Sequence, residues 1–272
     1  MTDAVPPKVP EPTGVPDPER REIRLEIEVP GTIQEVWDAI ATGPGITSWY
    51  VPHTVEEREG GKATASFGPG PEMQVPGRVA VWEPPHRIVF TGDTGEPGLA
   101  FEWLVEARDQ STCVVRLVNT GFGDGHPWDE QYDDMLGGWK LFLRNLWLHR
   151  TYFAGQHGIP ALPMGMWPGA PVEAWPQVLA ALGLPPAPQP GNQVATAGDG
   201  VPRLAGTVLD VRLGSLALLL DQPAPGTGIV AVERHGEASG VSLWVYLYGP
   251  GAPAVAAAHQ ARVSEWLAQQ AA

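Results

Sequence analysis

Alternating apolar and polar residues predict an antiparallel sheet in the first half of the chain. Residues 21–29 read REIRLEIEV, with aliphatic side chains on one face and charged side chains on the other. The same period of two recurs in residues 99–109 and 111–121, which a short turn separates, so together they predict a hairpin. Shorter runs predict four more strands within residues 51–93. One face of this sheet is apolar and the other polar, so we expect it to be covered on one side.

Helical patterns predict the elements that cover the apolar face of this sheet. Thr32 and Glu35 have the spacing of a capping box for a helix over Ile33–Ala41. Residues 129–156 form a longer amphipathic segment with acidic residues at its start and basic residues later, as the helix dipole favours. Its apolar face is formed by Met135, Trp139, Phe142, Leu146 and Phe153. We expect this helix to lie on the dry face of the sheet.

Proline and glycine divide the chain into four parts. Residues 1–19 contain six prolines and no hydrophobic period, which predicts a disordered arm. Residues 20–157 hold the sheet and its helices, and residues 158–203 read as a linker that contains a short helix at 171–183. Residues 204–272 read as four strands followed by a helix, a small α+β domain.

Several short sequence motifs within residues 21–157 resemble those of a known family in both residue type and order. They are Val36-Trp37, Ile46-x-x-Trp49-Tyr50, Gly77-Arg78-Val79, Pro84-Pro85, Arg87-Ile88-Val89-Phe90-Thr91, Phe101, Thr120-Gly121-Phe122, Gly138-Trp139, Leu143 and Leu146. This half of the chain resembles the START-like SRPBCC superfamily, in particular bacterial homologues of the heat-shock chaperone ATPase activator. The resemblance implies an α+β helix-grip fold, a curved antiparallel sheet around a long C-terminal helix with a cavity between them. It leaves the activity open, because the superfamily includes lipid carriers, hormone receptors and polyketide cyclases.

The second half repeats parts of the first. GTVLDVRLGSLALLLDQ can be aligned with GRVAVWEPPHRIVFTGD, and a second hairpin followed by a Trp-containing helix comes after each. We therefore hypothesise that residues 171–272 form a shortened copy of the same unit. An unrelated small α+β domain is the alternative, because strand-hairpin-helix order arises easily.

Composition excludes some classes of partner. The formal net charge of −14 argues against nucleic acid and against an anionic membrane surface as partners. No run of about 18 apolar residues is present to span a bilayer. The first residues lack the basic and apolar regions of a signal peptide. The single cysteine, Cys113, lies in an apolar strand pattern, which indicates a buried inert thiol rather than a nucleophile. We expect a cytoplasmic protein without a disulfide or a cofactor.

Catalytic motifs are absent from the sequence. There is no GxSxG, P-loop, GxGxxG after a strand, or HExxH, and no two of the seven histidines are three or four residues apart. The string GDGHPWDE suggests either a metal loop or an acidic helix start, and we favour the helix start. Its candidate ligands are Asp124, His126, Asp129 and Glu130.

An apolar pocket is the remaining candidate site. We expect it to be lined by Trp49, Tyr50, Phe67, Met73, Phe90, Phe101, Trp103, Leu117, Trp139, Phe142 and Leu146, although the alternative is that these residues simply fill the core. Polar groups near its mouth are expected to be Tyr50, His53, Asn119 and Tyr132. We favour non-catalytic binding of a hydrophobic or aromatic small molecule. The alternatives are a cyclase- or aromatase-like enzyme and a chaperone-associated interaction module.

Overall fold

Two compact units make up the chain. In a computed structural model, the described residues are 6–14, 22–68, 70–93, 98–123, 126–236 and 238–270. The N-terminal domain is Pro10–His157, and the C-terminal domain is Gly158–Ala272 together with residues 6–9. No helix among the described residues has the length and apolar character needed to cross a bilayer.

A seven-stranded antiparallel sheet forms the N-terminal domain, in the order β1-β7-β6-β5-β4-β3-β2. Its elements are β1 (Ile23–Pro30), α1 (Ile33–Ala41), α2 (Gly43–Thr47), β2 (His53–Val55), β3 (Lys62–Ser66), β4 (Gln74–Glu83), β5 (Arg87–Gly92), β6 (Ala100–Ala107), β7 (Thr112–Thr120) and α3 (His126–Tyr152). The first strand pairs with the last, and the intervening strands follow one another as a meander. This order, with α3 packed on β1, confirms the helix-grip fold predicted from the sequence.

Local sequence signals place the first helix. The Thr32 hydroxyl accepts a hydrogen bond from the Glu35 backbone N–H, and the Glu35 carboxylate accepts one from the Thr32 N–H at 2.8 Å. This reciprocal capping box satisfies two amide groups that the first helical turn would otherwise leave without partners. The helix begins and ends at the residues predicted. Its buried face includes Val36, Trp37 and Ile40, which the sheet covers.

A second antiparallel sheet forms the C-terminal domain, in the order β10-β11-β12-β13-β14-β8, with β9 also paired to β14. Its elements are β8 (Ile159–Ala161), β9 (Met164–Trp167), α4 (Pro171–Ala181), β10 (Gln193–Ala195), β11 (Ala205–Arg212), β12 (Ser215–Gln222), β13 (Gly226–His235), β14 (Ala238–Leu247) and α5 (Ala252–Gln270). Residues 158–203 therefore do not form the predicted linker, because three of these strands lie within them. Strands this short carry too few residues to show a period of two.

The C-terminal domain has the strand order of a shortened helix-grip unit. Its opening strands β8 and β9 pair antiparallel with the last strand β14, as β1 pairs with β7 in the N-terminal domain. A helix follows, then a meander from β10 to β14, and α5 packs on β8 and β9. This meander has five strands, against six in the N-terminal domain. The topology agrees with a shortened copy of the helix-grip unit, but this unit includes β8 and β9, which lie before the predicted start at residue 171.

The predicted N-terminal arm is partly ordered. Val9 is buried, and Thr13 forms a two-way backbone bridge with Glu26 of β1, with N–O distances of 2.9 and 2.7 Å. A proline-rich segment can pair in this way because β1 is an edge strand with unpaired backbone groups on its outer side. The prediction of disorder is therefore wrong for residues 6–14. The remainder of the predicted arm lies outside the described residues.

Candidate functional site

A cavity of about 510 Å³ lies in the N-terminal domain, between strands β2–β6 and the helices α2 and α3. Its floor exists because three small residues stand side by side: Ala63 of β3 pairs with Gly77 of β4, which pairs with Gly92 of β5. These positions have a methyl group or no side chain, and all three line the cavity. In the neighbouring row, Val79 is fully buried in the core and pairs with Phe90, whose larger side chain lines the cavity.

Eight of the predicted pocket residues line this cavity. They are Trp49, Tyr50, His53, Phe67, Phe90, Phe101, Trp103 and Trp139. They come from the segment after α2, from strands β2, β5 and β6, from the residue after β3, and from α3. Period-two and helical spacing place them on inward-facing positions of these elements.

The other six predicted residues lie elsewhere. Leu117 and Leu146 are fully buried in the core, and Phe142 packs edge-to-face behind Tyr50 with ring centroids 4.5 Å apart. Met73 is 39% exposed in the short 3-10 turn before β4. For Leu117, Phe142 and Leu146, sequence spacing gave the buried face of the element but not the correct distance along it.

Two predicted polar groups already have protein partners. The Tyr132 hydroxyl donates to the backbone carbonyl of Glu22 at 3.0 Å. The Asn119 amide donates to the Ala100 carbonyl at 3.1 Å, and its oxygen accepts from the Trp139 indole N–H at 3.4 Å. Asn119 therefore positions a wall residue instead of facing a ligand. Both corrections follow from contacts between segments that are far apart in sequence.

Sequence reasoning missed the small and aliphatic lining residues. These are Ile40, Ile46, Ala63, Thr64, Ala65, Val75, Pro76, Gly77, Thr91, Gly92, Leu99 and Met135. The sequence contained one usable signal, since alanine and glycine occupy inward positions of β3, β4 and β5 where a strand would ordinarily place larger residues.

The aromatic wall is centred on Tyr50. Its ring centroid lies 5.0 Å from that of Trp139, 5.4 Å from His53, 5.8 Å from Trp49 and 6.2 Å from Phe67. Hydrogen bonds hold the adjoining backbone in place: Trp49 donates its indole N–H to the Ala39 carbonyl, and Asn145 of α3 donates to the Trp49 carbonyl, each at 2.8 Å. The wall is thus fixed by both packing and hydrogen bonds before any ligand binds.

Few polar groups interrupt this wall. The His53 ring nitrogen Nδ1 lies 2.8 Å from the Val51 carbonyl oxygen, and burial lowers the pKa of His53 below its usual value. Burial also raises the pKa of the Tyr50 hydroxyl. Both groups are therefore neutral at pH 7. Among the described residues that line the cavity, none is Asp, Glu, Lys or Arg.

The described residues contain no group of three or more His, Cys, Asp or Glu side chains that could hold a metal ion. The candidate metal loop lies outside this statement, because Asp124 and the side chains of His126, Asp129 and Glu130 are not among the described features. Cys113 is a free, buried thiol, and burial raises its pKa. The cavity is accordingly suited to enclosing an apolar molecule and orienting it with a few neutral polar groups.

Comparison with known proteins gives one family match and several similar solved structures. Residues 31–147 match the family model described as Activator of Hsp90 ATPase homolog 1-like protein. No curated protein matches the sequence. The Aha1 dimer from Colwellia psychrerythraea is similar at 16% identity and a TM-score of 0.41, over 49% of this chain and 98% of that one.

Two further solved structures are similar along most of the chain. DynU16, a protein from the dynemicin biosynthetic locus, is 15% identical with a TM-score of 0.42, over 92% of this chain and 96% of its own. The di-domain ARO/CYC protein BexL from the BE-7585A biosynthetic pathway is 16% identical with a TM-score of 0.42, over 92% and 95%. Residues 31–147, which lie within the helix-grip domain, are thus the part of the chain that is similar to the Activator of Hsp90 ATPase homolog 1-like family.

Proposed function

We propose that the N-terminal domain binds an apolar small molecule in the cavity over Ala63, Gly77 and Gly92. The observation that carries the proposal is the cavity itself. Protein interiors are ordinarily packed as densely as organic crystals, and a space of about 510 Å³ is within the range of small-molecule sites. The small residues on its floor maintain this space, and the aromatic wall supplies apolar contact area.

The mouth of the cavity supports the same proposal. Phe67 and Val75 line it and are 45% and 53% exposed, and Met73 is exposed beside them. The Phe67 backbone N–H donates to the Met73 carbonyl at 2.9 Å, so the apolar side chains are presented by a hydrogen-bonded hairpin. Exposed apolar clusters on soluble domains commonly mark binding surfaces. These side chains give an apolar ligand a path from solvent to the cavity.

Non-catalytic binding is favoured over cyclase- or aromatase-like turnover. Such an enzyme would need polar groups that converge on its substrate, and two of the four predicted polar groups, Asn119 and Tyr132, form hydrogen bonds with other parts of the domain.

The cytoplasm is the proposed compartment, because the single thiol, Cys113, is buried and forms no disulfide.

Titration with Nile red, a neutral apolar dye, tests the proposal directly. The full-length protein is expected to bind the dye with increased dye emission and quenching of tryptophan emission, since Trp49, Trp103 and Trp139 line the cavity. Gly92→Leu should weaken binding about tenfold or more, because the new side chain occupies space at the cavity floor. The variant should fold, since nothing lies within 4 Å of a Cβ atom built on Gly92.

Gly240→Leu is the matched control. Gly240 is a strand glycine in β14 of the C-terminal domain, and a Cβ atom built there also meets nothing within 4 Å. The control should bind Nile red as the wild-type protein does. Failure of the wild-type protein to bind the dye, or equal binding by Gly92→Leu, would exclude this cavity as the site.

A further inference from the structure

The His53 side chain presents a hydrogen-bond acceptor to the cavity. Its Nδ1 atom is 2.8 Å from the Val51 carbonyl oxygen, and a carbonyl oxygen can only accept, so Nδ1 carries the proton. The other ring nitrogen, Nε2, then carries a lone pair. The His53 backbone N–H donates to the Thr47 hydroxyl at 2.9 Å, which fixes the position from which the ring extends.

The Tyr50 side chain presents a hydrogen-bond donor to the same cavity. Within the described part of the chain, its hydroxyl forms no hydrogen bond, and neither does Nε2 of His53. The Tyr50 ring is held in place by Trp139 and Phe142, with centroids at 5.0 and 4.5 Å. Buried polar groups nearly always have partners, so two groups without protein partners on one wall are available to a ligand.

The distance between the two rings places both groups on one part of the wall. Their centroids are 5.4 Å apart, and the rings are tilted by 37°. A ligand that accepts a hydrogen bond from Tyr50 and donates one to His53 would satisfy both at once. The remaining contacts would be made to aromatic and aliphatic side chains.

Charge restricts the ligand further. In the part of the chain that the structure describes, no lysine or arginine lines the cavity, and both polar groups are neutral, so a carboxylate or phosphate would find no positive charge among these residues. Burying an unpaired ion costs far more than burying a hydrogen-bonded neutral group. A chain with a formal net charge of −14 also repels anions at long range.

We infer that the cavity selects an uncharged, ring-containing ligand that presents a carbonyl acceptor to Tyr50 and a hydroxyl donor to His53, and that it rejects carboxylates. This inference rests on the proposed function, since it names the class of molecule that the same site binds. Tyr50 and His53 determine the specificity, and the aromatic wall supplies most of the affinity.

Four naphthalene probes that differ only in their substituents test the inference on the full-length protein at pH 7.5. They are a hydroxy-acetylnaphthalene with its substituents on opposite rings, acetylnaphthalene, naphthol and hydroxynaphthoic acid. Binding is measured by calorimetry and by tryptophan quenching. The hydroxy-acetyl probe should bind most tightly. Loss of either substituent should weaken binding by about 3- to 10-fold, and the carboxylate should weaken it by more.

Variants assign the two contacts. Tyr50→Phe should weaken binding of the two ketone probes by about 3- to 10-fold and affect naphthol less, because only the donor is removed. His53→Phe should weaken binding of the hydroxyl probes, and His53→Gln is the substitute if loss of the Val51 contact prevents folding. The four-probe comparison on the wild-type protein decides the matter even if neither His53 variant folds.

The outcomes separate this inference from the proposed function. Suppose that Nile red binds and that Gly92→Leu weakens its binding. If the four probes then bind equally, do not bind, or bind most tightly when they carry the carboxylate, the inference is overturned and the proposed function stands. If neither Nile red nor any probe binds, both are overturned.

Discussion

Replacement of Trp139 tests whether α3 covers the sheet and the cavity. The Trp139 side chain is 6% exposed, and its ring contacts Tyr50, Phe101, Trp103 and Phe142 with centroids 5.0 to 6.4 Å apart. We expect Trp139→Ala to lower the unfolding free energy of the N-terminal domain by about 3–5 kcal/mol, the cost typical of deleting a buried tryptophan.

Two features of the site place the cost toward the upper end of that range. Each aromatic pair contributes on the order of 0.5–1.5 kcal/mol beyond the area it buries, and four pairs are lost together. The fully buried Asn119 also loses the indole donor that its side-chain oxygen accepts from, while its bond to the Ala100 carbonyl remains. A buried acceptor left without a partner adds about 1 kcal/mol or more.

Hydrogen exchange measured by mass spectrometry is the appropriate assay, because it reports on each domain separately. Amides of β6 and β7 should exchange about 100-fold faster or more in Trp139→Ala, and amides of β13 and β14 should change little. Trp147→Ala is the control, since Trp147 lies two turns further along the same helix and is only half-buried. A cost below about 1 kcal/mol, or one no larger than that of the control, would refute the assignment of Trp139 as the cover of the cavity.

Two further predictions concern the stability of the same domain. Thr32→Ala should lower the unfolding free energy by about 1 kcal/mol, because the capping box with Glu35 is lost. Urea denaturation followed by circular dichroism measures this change, and an unchanged midpoint would contradict the role of the cap. Burial lowers the pKa of His149 from 6.5 to about 3, so the unfolded chain binds a proton that the folded domain excludes. Stability should therefore be retained above pH 6.5 and fall by roughly 1.4 kcal/mol per pH unit below it, until the folded pKa is reached. His149→Gln should reduce this slope in urea titrations between pH 7 and 4, and an equal slope in both proteins would show that another group causes the loss.

Local periodicity accounts for most of what could be predicted about the N-terminal domain. The strict alternation in β1, β6 and β7, the capping box before α1, and the helical spacing around Trp139 each involve residues within a few positions of one another. Such signals survive in the sequence because each element must bury one face of its own. The fold class and eight of the pocket residues followed from them.

Short strands in proline- and glycine-rich segments were not predictable in this way. Strands β8, β9 and β10 have three or four residues each, and they form only because β14 and β11 offer unpaired edges. Residues 6–14 were likewise mistaken for a disordered arm, although Thr13 bridges to β1. In both cases a distant partner, rather than the segment's own pattern, supplies the hydrogen bonds.

By itself, the sequence determined which elements form and which of their faces are apolar. Only the tertiary structure decided where the cavity lies, because the adjacency of Ala63, Gly77 and Gly92 depends on the register of three strands. It also decided which polar groups are available, since the partners of Asn119 and Tyr132 are distant backbone carbonyls. Periodicity is a local property of the chain, whereas register and the pairing of polar groups result from the packing of all the elements together.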